Sequence, residues 1–196
     1  MNQLENIFIR NKGYARMEEL KRSGIQTRKI SKAVKDGLLI KVSPGLYKLT
    51  DYPWDEHGSF ADVCNANKKA VICLLSAAAY YDLTTFNPSE VYAAVPHNTS
   101  NFKLDYPPIK VYYWTDKFYN TGIEKMDTNS GIVRIYNREK TIIDLFRYIN
   151  KTGEDVAIEA LKNYMRERKK DISRLAQYSM ICGITEKIAP YIKGML

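Results

Sequence analysis

Arg28, Lys29, Ser31, Lys32 and Lys35 place four cations and a hydroxyl within eight consecutive positions. Groups of that kind can neutralise phosphates, and Arg, Lys and Ser can also reach the acceptor edges of bases. Phase decides whether they act together. Ile30, Ala33 and Val34 recur at helical spacing, so a helix over Thr27–Asp36 turns those three inward and leaves the polar set outside. Gln26-Thr27 supplies a polar start, and Gly37 ends the helix.

The neighbouring elements are what must hold that helix in place. Leu4, Ile7 and Phe8 mark a first helix over Asn2–Asn11, ended by Lys12-Gly13. Met17–Arg22 is a short second helix, and Ser23-Gly24 breaks the chain before the third. Leu39–Val42 and Leu46–Leu49 read as strands joined by the turn Ser43-Pro44-Gly45. Helix, short helix, turn, helix, hairpin is the order of a winged helix-turn-helix, whose second helix of the pair enters the major groove. In that arrangement Arg28, Lys29 and Ser31 lie early enough to face bases, with Thr27 beside them, while Lys32 and Lys35 meet phosphates. Lys41, Ser43 and Lys48 flank the wing, and Arg16 stands near the start of the second helix, where it can clamp a phosphate.

The charge distribution agrees. The 196 residues hold 30 Lys+Arg against 22 Asp+Glu, a balance of +8. Residues 1–50 hold eleven against four, +7, and residues 51–196 hold nineteen against eighteen, +1. Segregation of this kind points to a polyanion-binding module. A protein-interaction module or a merely solvated basic face would share the composition.

With 45% hydrophobic and 12% aromatic residues the chain supports a packed core, which excludes wholesale disorder. Asp51–Ser59 reads as a linker packed by Trp54. Residues 60–196 form a second, α+β domain: helical over 60–82, with a largely buried helix at Leu74–Tyr81, then strands at Glu90–Val95, Ile109–Trp114 and Ile132–Tyr136. His97–Asp105 is a loop or hairpin, and helices follow at Thr141–Asn150, Asp155–Glu167, Ile172–Cys182 and Glu186–Lys193. Thr141 and Asp144 resemble a capping box. The expected fold class is therefore α+β, a winged helix-turn-helix over 1–50 and a mixed domain over 60–196.

Catalytic constellations find no support. His57 and His97 lie far apart without ligand spacing, so no metal is expected, and no Gly-rich phosphate cradle implies a nucleotide cofactor. Gly58-Ser59 is the pair that opens nucleotidyltransferase sites, but Asp62 stands alone after it. Glu167 and Lys169 have the E-x-K spacing of metal-dependent nucleases, making a winged-helix-targeted nuclease the enzymatic alternative. Cys64, Cys73 and Cys182 are expected to pack as reduced thiols. Arg138, Lys140, Asp144, Arg147 and Lys151 surround an apolar helix, either as ion pairs or as a second polar surface. The longest apolar run, Ala70–Ala79, is too short to span a membrane, and no leader pattern is visible, so the expected location is the cytoplasm.

Three stretches resemble one family in order and spacing: GYARMEELKRSGIQTRKISKAVKDGLLIKVSPGLYKL (13–49), AVICLLSAAAYYDLTTFNPSEVYAAVP (70–96) and VRIYNREKTIIDLFRYINKTGEDVAIEAL (133–161). The resemblance is to the AbiEi-type antitoxins of type IV toxin–antitoxin systems, regulators linked to abortive phage infection. It implies a winged helix that represses its own operon, bound to double-stranded DNA at inverted-repeat operators. It also implies a C-terminal domain that counters a nucleotidyltransferase toxin without a stable complex. Carried over, the DNA-contacting residues are Arg28, Lys29, Ser31 and Lys32, with Lys41 and Lys48 in the wing. The family often has a His where Tyr80-Tyr81 stand here, and some members are stand-alone regulators.

Overall fold

Apolar residues at alternating and helical spacing sort the chain into eight strands and eleven helices among the described residues, 3–195, of a computed structural model. Met1, Asn2 and Leu196 lie outside them, so the first residue of the expected opening helix, Asn2, does too.

The N-terminal elements are α1 (Gln3–Arg10), β1 (Tyr14–Arg16), α2 (Met17–Arg22), α3 (Thr27–Lys35), β2 (Leu39–Ser43) and β3 (Leu46–Leu49). The strands form an antiparallel sheet of order β1-β3-β2, in which Ala15 faces Tyr47 and Ile40 faces Lys48. Leu4, Phe8, Leu20, Ile30, Ala33 and Leu39 close a small core beneath the helices. β1 is the addition to the sequence reading. Three residues are too few for a periodic signal, and its partner lies thirty residues downstream.

The larger unit contains α4 (Gly58–Ala66), β4 (Val71–Ile72), α5 (Leu74–Tyr80), β5 (Val91–Pro96), β6 (Ile109–Trp114), α6 (Asp116–Tyr119), β7 (Ile123–Thr128) and β8 (Gly131–Tyr136). It ends in α7 (Arg138–Arg147), α8 (Ile149–Thr152), α9 (Glu154–Arg166), α10 (Ile172–Cys182) and α11 (Thr185–Lys193). The mixed sheet has the order β6-β5-β4-β8-β7; β4 runs parallel to β8 and antiparallel to β5, while β5 and β6 are parallel. β4, α6 and β7 are additions to the sequence reading, and β4 lies between the two helices expected within 60–82.

Strand alternation divides the core between the two faces of this sheet. Val71, Tyr92, Ala94 and Tyr136 point to a helical layer holding Ile142, Phe146, Ala157 and Leu161. Ile72, Ala93, Val95, Val133 and Ile135 point the other way, against Ala61 and Val63. That second core also contains Tyr14, Val42 and Leu46, so apolar packing runs from the N-terminal sheet into the larger one.

Residues 51–59 depart from expectation in one respect. Trp54 does not pack the segment: it is 82% exposed. Tyr52 does the packing, its ring against Gly13, where φ is +89° and an added Cβ would lie 2.6 Å from the ring. Its hydroxyl donates to the Asn129 carbonyl at 3.1 Å, and Asp55 accepts from the backbone N–H groups of Ser130 and His57.

The capping residue of α7 is a second departure. Asn137, not Thr141, is the N-cap, its side chain accepting from the Lys140 backbone N–H at 3.0 Å. Thr141 lies one turn inside the helix and donates to the Tyr136 carbonyl. The Thr141–Asp144 spacing imitates a capping box, but the asparagine earlier in the chain reaches the orphan donors first.

Candidate nucleic-acid interface

Ile30 and Ala33 anchor α3 in the small core and Val34 is half-buried. Helical phase then fixes the opposite face: Thr27, Arg28, Lys29, Ser31, Lys32 and Lys35 are all exposed. Among the described residues, none of these four cations forms an ion pair.

The helix start is electrostatically unusual. Gln26 occupies the N-cap without a side-chain cap bond, and the first turn has no acidic residue. Helix N-termini carry partial positive charge from unsatisfied N–H groups and favour anions. Arg28 and Lys29 add full positive charge there. The arrangement is unfavourable in isolation and complementary to a phosphate.

Lys41 is exposed and Ser43 half-buried at the end of β2, across the turn from Leu46. They flank the hairpin as expected. Two other expected contacts are directed elsewhere. Lys48 lies over the Tyr14 ring and pairs with Asp62 of α4 at 3.1 Å. The Arg16 guanidinium donates to the Asn65 carbonyl at 2.9 Å. Arg28, Lys29, Ser31, Lys32 and Lys35 thus share one surface, while Arg16 and Lys48 turn toward the larger unit.

Asp62, isolated among the acids of its own stretch of sequence, organises this junction. The Tyr14 hydroxyl donates to its Oδ1 at 2.5 Å. Burial first, and the Asp62 charge second, raise the Tyr14 phenol far above its ordinary range, so it remains a donor. Both partners lie nearly fifty residues from Asp62 or on another element, which leaves no local sequence signal for the contact.

The second polar set is corrected at its centre. Lys140, Asp144 and Arg147 are an interior cluster, with Lys140 0% exposed and Asp144 1%. Lys140 pairs with Asp144, and Arg147 reaches the other carboxylate oxygen at 2.9 Å. The Lys140 ammonium lies 4.5 Å from the Trp114 ring and 4.7 Å from Tyr136, and Arg147 packs on Trp114, Phe118 and Tyr148. Burial pushes the Asp144 carboxyl up, against the opposing pull of Lys140 and Arg147. Only Arg138 and Lys151 are exposed. Arg138 lies over Tyr81 and pairs with Glu167 at 3.6 Å, and Lys151 sits near Tyr148.

The remaining candidates separate in space. His57 contacts the rings of Phe60 and Tyr80, whereas His97 is exposed at the end of β5. All three thiols are buried and free, and burial raises the Cys64 pKa to about 11. Such thiols hold little thiolate at neutral pH. No group of three or more His, Cys, Asp or Glu among the described residues is arranged to hold a metal ion. No helix among them is long and apolar enough to cross a membrane.

Three cations of the larger unit escaped sequence reasoning. Lys68, Lys125 and Arg134 line a cleft with Arg16, and none of the four has a carboxylate partner among the described residues. They come from the turn after α4, from β7 and from β8, so no run or spacing announces them.

The crystal structure of the RV2827C protein from Mycobacterium tuberculosis is similar to this fold, with a TM-score of 0.60 and 10% sequence identity. The likeness covers 94% of this chain and 75% of that one, and at this identity it speaks to the fold alone. No curated protein matches the sequence. Residues 2–50, the N-terminal module, match the family model described as a transcriptional regulator, AbiEi antitoxin.

Proposed function

We propose that this chain is a DNA-binding transcriptional repressor acting as the antitoxin of a type IV toxin–antitoxin system. Residues 1–50 are its winged helix-turn-helix domain, 51–59 the joint, and 60–196 the domain that counters a nucleotidyltransferase toxin without a stable complex. α3 enters the major groove, where Arg28, Lys29 and Ser31 face bases and Lys32 and Lys35 neutralise phosphates. Lys41 and Ser43 reach the backbone beside the groove. Two copies on an inverted repeat occlude the promoter of the protein's own operon.

The observation that carries this reading is the outer face of α3: four cations exposed without an ion pair, on a helix whose N-terminus has neither a side-chain cap nor an acid. Such a surface repels itself and is relieved by a polyanion. The match of residues 2–50 to a transcriptional-regulator family supports the regulatory role. Lys48 drops out of the contact set because it pairs with Asp62, and Arg16 because its guanidinium is directed toward Asn65 of the larger unit, away from the outer face of α3.

Footprinting on the DNA upstream of the protein's own gene tests the proposal. Two protected half-sites are expected, about one helical turn or a multiple of it apart. Absence of protection at low salt would overturn the DNA reading. The antitoxin reading is tested separately by co-expression with the adjacent reading frame: growth restored by the full chain, and lost on deleting 60–196, is the expected result. Continued growth arrest in the presence of the full chain would overturn it.

A further inference from the structure

The cleft between the N-terminal module and the larger sheet has a volume of about 630 Å³. That is within the range of small-molecule sites, roughly 300–1,000 Å³. One wall is the end of α1 with β1 and the start of α2; the other is the end of α4 with β7 and β8. Ile132, 56% exposed, supplies most of the apolar surface, above the nearly buried Ala15 and Leu46.

Its electrostatics are one-sided. Lys12 answers Asp127 at 2.5 Å, and Glu19, which accepts from the Asn11 amide, is the one lining acid without a cation partner among the described residues. That leaves Arg16, Lys68, Lys125 and Arg134, of which three converge on a single turn of chain. Arg16 donates to the Asn65 carbonyl, Lys68 to the Asn65 side-chain oxygen at 2.7 Å, and Arg134 to the Lys68 carbonyl at 3.1 Å. All three acceptors are neutral. Partial burial, and then the charge of Arg16, lower the Lys68 pKa, as expected of a cation held beside another without a counter-ion.

Like charges gathered on neutral acceptors at the mouth of a concave site are unfavourable until an anion joins them. Two guanidinium groups and two ammonium groups match the oxygens of a phosphate or a short phosphate chain, and the apolar surface suits an uncharged ring attached to it. The concavity favours a small molecule over the convex backbone of a duplex. We infer that this cleft binds a small phosphorylated ligand of the nucleotide class, seated between the two units and bridging them through Arg16 on one side and Lys68, Lys125 and Arg134 on the other. The assignment does not depend on the DNA reading, because it concerns a different surface from the outer face of α3.

Isothermal titration of the full chain with inorganic pyrophosphate, ATP and adenosine tests it, without DNA present. Pyrophosphate and ATP should bind with dissociation constants of about 1 mM or tighter, ATP the more tightly, and adenosine should give no signal. The Lys68→Gln/Lys125→Gln variant should weaken both anions at least tenfold. Both lysines are exposed, and thermal melting of the variant verifies that it remains folded. Absence of binding by pyrophosphate and ATP would overturn the site, as would binding that the folded double variant leaves unchanged. A third arm adds an operator duplex. If the duplex displaces pyrophosphate and the same double variant weakens duplex binding tenfold, the cations belong to a nucleic-acid surface and the small-ligand assignment is overturned; simultaneous binding of duplex and ATP supports it.

Discussion

Two helices of this protein present dense charge in opposite ways. α3 carries Arg28, Lys29, Lys32 and Lys35 on one exposed face, and no acid answers them. α7 carries Lys140 and Arg147 inside the larger core, where both hold the Asp144 carboxylate and lie against aromatic rings. Charge in water costs little and remains available to a partner; charge in a core must be neutralised where it sits. The same residue types therefore stay open to a partner in one helix and build the core in the other. Position relative to the apolar stripe separates them. Ile30 and Ala33 define a narrow buried stripe on α3, whereas α7 is buried nearly all round from Glu139 to Phe146.

Substitutions can break that contrast, and the largest effect should come from α7. Asp144→Ala leaves Lys140 and Arg147 buried without a counter-charge and should cost about 3–5 kcal/mol. Chemical denaturation measures it, alongside Lys32→Glu, which should stay within about 0.5 kcal/mol of wild type. Equal costs for the two would dissolve the distinction. At the junction, Asp62→Ala strips the acceptor from Tyr14 and Lys48 and should cost about 1–3 kcal/mol in the same assay. A neutral result there would mean that the contact between the two units adds nothing to stability.

Asp55 gives a smaller, pH-dependent effect. Burial opposes its charge, but donors from His57, Ser130 and Thr128 outweigh that and hold the carboxyl below its usual range. A depressed carboxylate contributes stability that is complete above the unfolded value, about 3.9, and is lost as pH falls through the folded value. Thermal melts between about pH 5 and pH 2 should therefore fall less steeply for Asp55→Asn than for wild type. Parallel curves would remove Asp55 from the account of the joint. The smallest effect belongs to Trp54→Ala: an exposed side chain without packing should change stability by less than about 0.5 kcal/mol. A cost of several times that would restore the tryptophan as the residue that packs the joint.

Much of the N-terminal module was legible because its signals are local. Ile30, Ala33 and Gly37 set the phase and end of α3, and Ser43-Pro44-Gly45 announces the hairpin turn. The omissions have physical reasons. β1 and β4 are too short for alternation to register, and each exists through partners distant in sequence. The buried triad was legible in spacing but not in place. Lys140, Asp144 and Arg147 stand at i, i+4 and i+7 of a helix that alternates polar with apolar residues, a pattern that serves a solvated surface equally well until the flanking sheet covers it. The junction at Asp62 and the gathering of the cleft's cations had no sequence signature, because tertiary packing alone brings Tyr14 and Lys48 to α4, and Arg16 and Arg134 to α4 and the turn that follows it.

The central claim is that the outer face of α3 meets the phosphates of DNA, and the salt dependence of binding tests it most directly. Each phosphate neutralised contributes about −0.9 to the slope of log affinity against log salt concentration. Fluorescence anisotropy with an upstream duplex should give a steep negative slope for the wild type. Arg28→Glu/Lys32→Glu, with its fold intact by thermal melting, should lose most of the affinity, and the residual binding should have a slope shallower by about 0.9, the share of the phosphate that Lys32 neutralises. A wild-type complex insensitive to salt, or a double variant with the same affinity and slope, would contradict the account.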